Sequence, residues 1–201
     1  MRLSKEQRKA QILDVATRIF VEKGYYDTKT KDIAQACGVT EPVIYKHFTG
    51  KDDLFYQVLE RIAGATLEEV NFNPAEDTEQ ILISFVMNRV KILEDNFPLF
   101  KKLLIVVLRD DEFRQYYFTK FIPKLAYPVI GYLDQLKEQG VIKKDVPSSV
   151  IALALAGIFV QVSLAKGFEK DQSFYDFPTN DLVTQMLDIY LHGLLKGESG
   201  G

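Results

Sequence analysis

Cysteine occurs once in the 201 residues and histidine twice. A lone Cys37 cannot close an internal disulfide, and His47 and His192 stand too far apart in sequence to seed a metal-ligand cluster. Neither a disulfide scaffold nor a metal centre is expected, and a reducing, cytoplasmic setting fits both absences. No apolar core of a signal peptide follows Met1-Arg2-Leu3-Ser4-Lys5, which leads straight into charged helical sequence. The longest apolar run, Val150 to Ala165, falls short of the roughly 20 residues that cross a bilayer and reads as a buried helix, so no membrane partner is expected. Glycines at phosphate-loop spacing and a plausible nucleophile–base pair are missing as well, so no catalytic residue, cofactor or enzymatic activity is expected.

The rest of the composition is that of a folding chain. With 47% hydrophobic and 26% charged residues it is too apolar for general disorder, and its length suits one or two domains. The net charge of -3 hides an uneven distribution. Up to Lys51 there are ten Lys and Arg against six Asp and Glu, whereas the remainder is acidic. A basic N-terminal part on an acidic body is the pattern of a chain that meets nucleic acid with one end.

Helical spacing runs through the whole sequence, with no strand-period alternation and no repeat. Ser4-Lys5-Glu6-Gln7 is a capping box, and Ile12, Ala16, Ile19 and Phe20 recur on one face before Gly24 stops a helix of about Lys5 to Lys23. Two short helices follow, Thr30 to Cys37 and Glu41 to Phe48, the second with Thr40 as its cap and Pro42 in its first turn. Ala34 is small enough for two helices to cross closely, and Gly38 supplies the left-handed residue between them. This is the pattern of a helix-turn-helix. Ile33, Cys37, Val39, Ile44 and Phe48 would pack inward, and the second helix would be free to enter a major groove. Gly50 opens a longer helix to about Val70, and Asn71 to Glu76 breaks the chain. Further helices are expected at Thr78 to Asp95, Pro98 to Arg109 and Asp111 to Gln139, with Pro123 and Pro128 kinking or dividing the last. A turn region from Gly140 to Pro147 leads to the apolar helix that ends near Lys166, and a final helix spans Asn180 to Lys196.

The ordered run Gly24-Tyr25-Tyr26-Asp27-Thr28-Lys29-Thr30-Lys31-Asp32-Ile33-Ala34, then Ala36-Cys37-Gly38-Val39-Thr40, Ile44-Tyr45-Lys46-His47-Phe48 and Gly50-Lys51-Asp52-Asp53-Leu54 resembles the tetracycline-repressor (TetR) family. The resemblance covers about the first quarter of the chain; Cys37 and Pro42 stand where many members carry other small residues. It implies an all-α protein with an N-terminal three-helix DNA-binding domain over residues 1–50 and a larger helical effector-binding and dimerisation domain over residues 51–201. It makes Thr28, Tyr45 and Lys51 phosphate contacts and puts Lys31, Thr40, Glu41, Pro42, Val43, Lys46 and His47 in or near the groove.

The residue chemistry agrees: lysines neutralise phosphate or donate to guanine, and Pro42 and Val43 can touch thymine methyls. Glu41 has a second reading, as an acid stabilising the positive end of its own helix. Arg2, Lys5, Arg8 and Lys9 form a basic arm that can reach the backbone or minor groove.

One recognition helix reads few bases, so a homodimer is required on double-stranded operator DNA. Leu155, Phe159, Val162, Leu182, Met186, Ile189 and Tyr190 on the last two helices are the expected dimer interface, as part of a four-helix bundle. The aromatic-rich middle suggests a cavity for a small, largely apolar or aromatic-compatible effector, with Phe85, Asn88, Arg109, Tyr117, Phe121, Tyr127, Phe159 and Gln161 as candidate walls and anchors. The expectation is a dimeric repressor released from its operator by that effector; the alternative is a constitutive DNA-binding regulator whose aromatics are only core.

Overall fold

The structure, a computed structural model, describes residues 3–64, 72, 77–142, 145–168 and 177–194, with side chains as far as Leu191 in the last stretch. Arg2, most of the break at 71–76, and the side chains of His192 and Lys196 lie outside the described residues. The described elements are helical: α1 Lys5–Lys23, α2 Thr30–Ala36, α3 Glu41–Tyr45, α4 Lys51–Gly64, α5 Thr78–Asp95, α6 Phe97–Arg109, α7 Asp111–Tyr116, a π-helical turn Tyr117–Phe121, α8 Ile122–Glu138, α9 Ser148–Phe168 and α10 Thr179–Leu194. The chain forms two compact units, Met1–Ala65 with Pro98–Phe118, and Thr66–Phe97 with Thr119–Gly201.

The first unit is organised by α1. Its capping box is formed, with Ser4 Oγ accepting from Gln7 N at 3.1 Å and Ser4 N donating to Gln7 Oε1 at 2.9 Å. Ile12, Ala16 and Phe20 of this helix are buried, as are Ile33, Ile44, Phe48, Leu54, Phe55 and Val58 in the helices that follow. The boundary expected after residue 50 falls too early, because α4 belongs to this core. Its Phe55 ring meets Phe20 edge-on at 4.8 Å and Phe113 of α7 at 5.6 Å, and Arg61 is ion-paired with Asp14 at 2.7 Å. Each such apolar side chain withdrawn from water is worth roughly 1.5–3 kcal/mol, so α4 is held to α1 chiefly by its apolar face rather than by its one surface ion pair.

The long helix expected over Asp111 to Gln139 is divided. Pro123 offers no N–H to the turn before it and its ring crowds the carbonyl four residues back, and the chain widens into the π-helical turn at Tyr117–Phe121 immediately upstream. Pro128 is accommodated inside α8.

The core of the second unit combines Leu82, Phe85 and Val86 of α5, Val129, Tyr132 and Leu133 of α8, Leu155, Ile158 and Val162 of α9, and Val183 and Leu187 of α10. At 21 residues, α9 is longer than the apolar run within it suggested, and by length and composition it could cross a membrane. Its burial is one-sided. Ile151, Leu155, Ile158 and Val162 face the core, while Val150 and Leu153 on the other side are exposed.

Candidate nucleic-acid interface

The helix-turn-helix forms as the sequence required, with shorter helices. After α2 the chain turns at Gly38, whose φ of +67° only glycine adopts without strain, and Val39 N returns to Ala34 O at 3.0 Å. Thr40 occupies the cap position of α3 but makes no side-chain cap bond. Beyond Tyr45 the backbone relaxes into a turn in which His47 N and Phe48 N both bond Ile44 O, at 2.9 and 3.0 Å. Fully buried Ile44 and Phe48 anchor this segment, which fixes the outward direction of Pro42, Tyr45 and Lys46.

Of the expected DNA contacts, Lys31, Thr40, Pro42, Tyr45 and Lys46 are exposed, and Glu41, Val43, His47 and Lys51 are half-buried. Thr28 is the exception. It is 1% exposed and its hydroxyl donates to Gly24 O at 2.6 Å, so the side chain ties the α1–α2 connection and is not available to a phosphate. Glu41 is also occupied: the Thr30 hydroxyl donates to its Oε1, and the Tyr45 hydroxyl lies 3.4 Å from the same oxygen and 3.2 Å from Thr30 Oγ1. Thr30, Glu41 and Tyr45 thus form a tie between α2 and α3 that fixes the Tyr45 ring. Glu41 serves the scaffold of the reading helix, in keeping with its place in the first turn. Thr30 was missed by the sequence reading; nothing in a lone threonine at a helix start signals a partner eleven residues on.

Lys51 spans two roles. Its Nζ donates to Tyr25 O at 3.0 Å and sits 4.3 Å from the Tyr25 ring centroid, which orients the ammonium while leaving donors for a further acceptor. The Tyr25 hydroxyl in turn donates to Asp52. Burial, reinforced by that carboxylate, pushes the Tyr25 phenol far above its ordinary range. Cys37 is buried and its thiol is pushed up by desolvation, which suits a small core residue.

The basic arm meets α3. Leu3, Ser4, Lys5 and Arg8 line one side of a cleft of about 560 Å³, and Val39, Val43, Lys46 and His47 line the other.

The expected dimer residues separate into two groups. Leu155 and Val162, each 1% exposed, are buried in the core of their own protomer and are not available to a partner. Phe159, Leu182 and Met186 are half-buried, while Ile189, at 74%, and Tyr190 are exposed. Leu153 at 72% and Val150 are the exposed apolar residues near the start of α9, and the sequence reading missed them because every side of that helix is apolar.

The expected effector residues are divided between the two units. Arg109 and Tyr117 fall in the first unit, and Arg109 lies 5.2 Å from the Tyr26 ring. In the second unit Phe85 and Phe121 are buried, Asn88 and Phe159 half-buried, and Tyr127 and Gln161 exposed. Arg89, unremarked in the sequence, is a buried cation of this unit, with its guanidinium 5.5 Å from the Phe85 ring.

These observations define an all-helical protein whose N-terminal unit presents a short helix on a helix-turn-helix. The model of the family "Bacterial regulatory proteins, tetR family" matches residues 12–58. The transcriptional activator FasR of Mycolicibacterium smegmatis is 40% identical over 60 residues, 30% of this chain and 27% of FasR. The transcriptional repressor Rv1474c of Mycobacterium tuberculosis is 26% identical over 181 residues, 87% of this chain and 92% of that protein. The fatty acid degradation regulator FadR from Bacillus halodurans has the same fold, with a TM-score of 0.72 at 19% identity and full coverage of both chains. The chain spans about a quarter of the length of FasR and of other curated relatives matched through the helix-turn-helix. Residues 12–58 are therefore similar to the helix-turn-helix segment of TetR-family transcriptional regulators.

Proposed function

We propose that this protein is a cytoplasmic, homodimeric transcriptional repressor that binds double-stranded operator DNA through α3 and is released by a small-molecule effector. The observation that carries the reading is the outward pair Tyr45 and Lys46, with Tyr45 53% exposed on a helix anchored by buried Ile44 and Phe48. Lys31 and Lys51 extend the basic surface from α2 and α4. Repression rather than activation is favoured because similarity to a named repressor runs over 92% of its length, whereas similarity to the named activator is confined to 27%.

A sequence-specific binding assay on the Tyr45→Ala/Lys46→Ala variant tests the reading surface. Loss of at least about tenfold in affinity is expected, since each removed phosphate or base contact is worth on the order of 1 kcal/mol or more. Unimpaired binding would remove α3 from the interface.

For the dimer, the exposed apolar residues Val150 and Leu153 of α9 and Ile189 and Tyr190 of α10 support pairing with a second copy, because exposed apolar surface is otherwise a solubility cost. For the effector, Arg89 beside Phe85 replaces Arg109 as the favoured charged anchor, and an acidic group on an apolar body is the ligand chemistry it suits. Burial of Phe85 and Phe121 in side-chain packing favours the effector-free alternative at those two positions. Native mass spectrometry of the protein purified from cells separates the two: a co-purifying small molecule lost in Arg89→Met supports release by an effector, and a ligand-free dimer that binds its operator unconditionally supports the alternative.

A further inference from the structure

The tie between α2 and α3 uses half of a carboxylate. Thr30 Oγ1 donates to Glu41 Oε1 and the Tyr45 hydroxyl lies 3.4 Å from the same atom, whereas Oε2 takes no hydrogen bond and no ion pair among the described residues. Thr30 is buried and Tyr45 stands one turn along α3, so the carboxylate is gripped from α2 and from its own helix. A side chain held by one oxygen keeps its other oxygen in a set direction. Glu41 is only half-buried and is the first residue of α3, and the N-terminal end of a recognition helix is the part that reaches base edges in the major groove. A carboxylate there is costly on a DNA-binding surface, because it only accepts and is repelled by the phosphates that flank the groove. No lysine or arginine pairs with it among the described residues, although the chain up to Lys51 is basic. A tie to Thr30 needs an acceptor and no charge, so the charge and the open oxygen call for a use beyond the scaffold.

We propose that Glu41 is a specificity-determining residue that reads a cytosine in the major groove, its open Oε2 accepting from the cytosine N4 amine. The inference rests on the DNA-binding reading and deepens it by naming a base that α3 selects. Cytosine alone presents a donor and no acceptor on its major-groove edge. Adenine carries its N6 amine beside the N7 acceptor, guanine shows N7 and O6, and thymine shows O4 and a methyl group. A carboxylate fixed in place is therefore matched by cytosine, matched less well by adenine, and opposed by lone pairs at guanine and thymine.

Discrimination comes as much from rejection as from attraction. At cytosine a charge-assisted hydrogen bond offsets the loss of water from the carboxylate. At another base the carboxylate is desolvated against acceptors and phosphates with nothing to offset it. Glu41 thus weakens binding to DNA in general and spares the matched site. Thr30 is a positioning residue in this scheme, since a carboxylate released from it would swing to solvent at a mismatched base and the penalty would vanish. Cytosine at the position that Glu41 reads is expected to be preferred roughly five- to hundredfold over guanine or thymine, the range of one well-made base contact.

The test is selection from a random-sequence duplex pool by the full chain, followed by binding assays on the selected site with each base pair replaced in turn. In the wild-type protein one position of each half-site is expected to demand cytosine. Glu41→Gln keeps an oxygen for Thr30 and turns an amide N–H outward, so it is expected to exchange cytosine at that position alone for a base with an acceptor edge, and to bind random-sequence duplex more tightly. A role confined to holding α3 would leave the preferred base unchanged in any variant that still binds. Thr30→Val is expected to lower the cytosine preference severalfold and Thr30→Ser to restore it. A second measurement needs no variant. N4-methylcytosine still pairs with guanine but carries a methyl group in place of the major-groove N–H, and placed at each cytosine of the selected site in turn it is expected to weaken wild-type binding about fivefold or more at one position per half-site. Unchanged base preferences in Glu41→Gln, or wild-type binding indifferent to the methyl group at every cytosine, overturns the proposal. Failure of the DNA-binding reading has a different signature: the wild-type chain then enriches no sequence at all, and Glu41 has no site to read.

Discussion

Gly38 carries a φ of +67° with no atom within 4 Å of where a side chain would begin. The position has room for a β-carbon and a backbone that resists one, so Gly38→Ala isolates conformational strain from crowding. It is expected to cost about 1–2 kcal/mol, read as a lower urea midpoint at unchanged slope, and Gly38→Asn to recover part of it. An alanine variant as stable as wild type would mean the turn is not left-handed there. Three tyrosines supply a second residue-scale outcome. Burial pushes Tyr56 up to about 12 and Tyr117 up to about 12, and Tyr25 higher, with Asp52 adding to its shift. A phenol whose folded value exceeds its unfolded value stabilises the fold below about 10 and loses that contribution as pH rises toward the folded value. Stability is therefore expected to fall between about pH 10 and 12, with phenolate absorbance appearing in step with unfolding. Full titration of all tyrosines near 10 in a still-folded protein would contradict the burial.

At the scale of elements, α9 and α10 show where apolar sequence is ambiguous. Leu155→Ala removes a side chain buried in its own protomer and is expected to cost about 2–5 kcal/mol of stability. Leu153→Glu, on the opposite side of the same helix, is expected to leave the protomer's stability nearly unchanged and convert a dimer to a monomer in light scattering at matched concentration. The reverse pattern would exchange the two faces. This contrast marks what could be read from sequence. The cap at Ser4, the turn at Gly38 and the inward set Ile33, Ile44 and Phe48 were legible because each is a local signal, a hydrogen-bonding side chain or a spacing within one or two turns. On α9 every face is apolar, so periodicity cannot say which side the protomer keeps, and Leu155 and Val162 were assigned outward when Val150 and Leu153 hold that place. Thr28, the Thr30–Glu41–Tyr45 tie and the His47 cleft were hidden for a different reason: their partners lie across a turn or some forty residues away, and only folding brings them together.

For the whole molecule, the uneven charge distribution decides how binding responds to salt. A net charge of -3 predicts weak attraction to DNA if spread evenly, but Lys5, Arg8, Lys31 and Lys46 all belong to the first unit, which carries α3. Each phosphate neutralised by such a group releases condensed counterion and adds about -0.9 to the slope of log affinity against log salt. If two copies bind one operator, each substitution acts twice. Lys46→Ala is thus expected to make the slope shallower by at most about two, and Lys5→Ala/Arg8→Ala, whose side chains lie one turn apart and can meet a single phosphate, by about the same, while the acidic second unit contributes nothing to it. The same measurement tests stoichiometry and role together. A change of about one for Lys46→Ala points to a single bound copy, and no change with weakened affinity makes Lys46 a base reader rather than a phosphate contact. A slope equally sensitive to lysines of the second unit would mean that DNA runs along the body of the protein and not across α3.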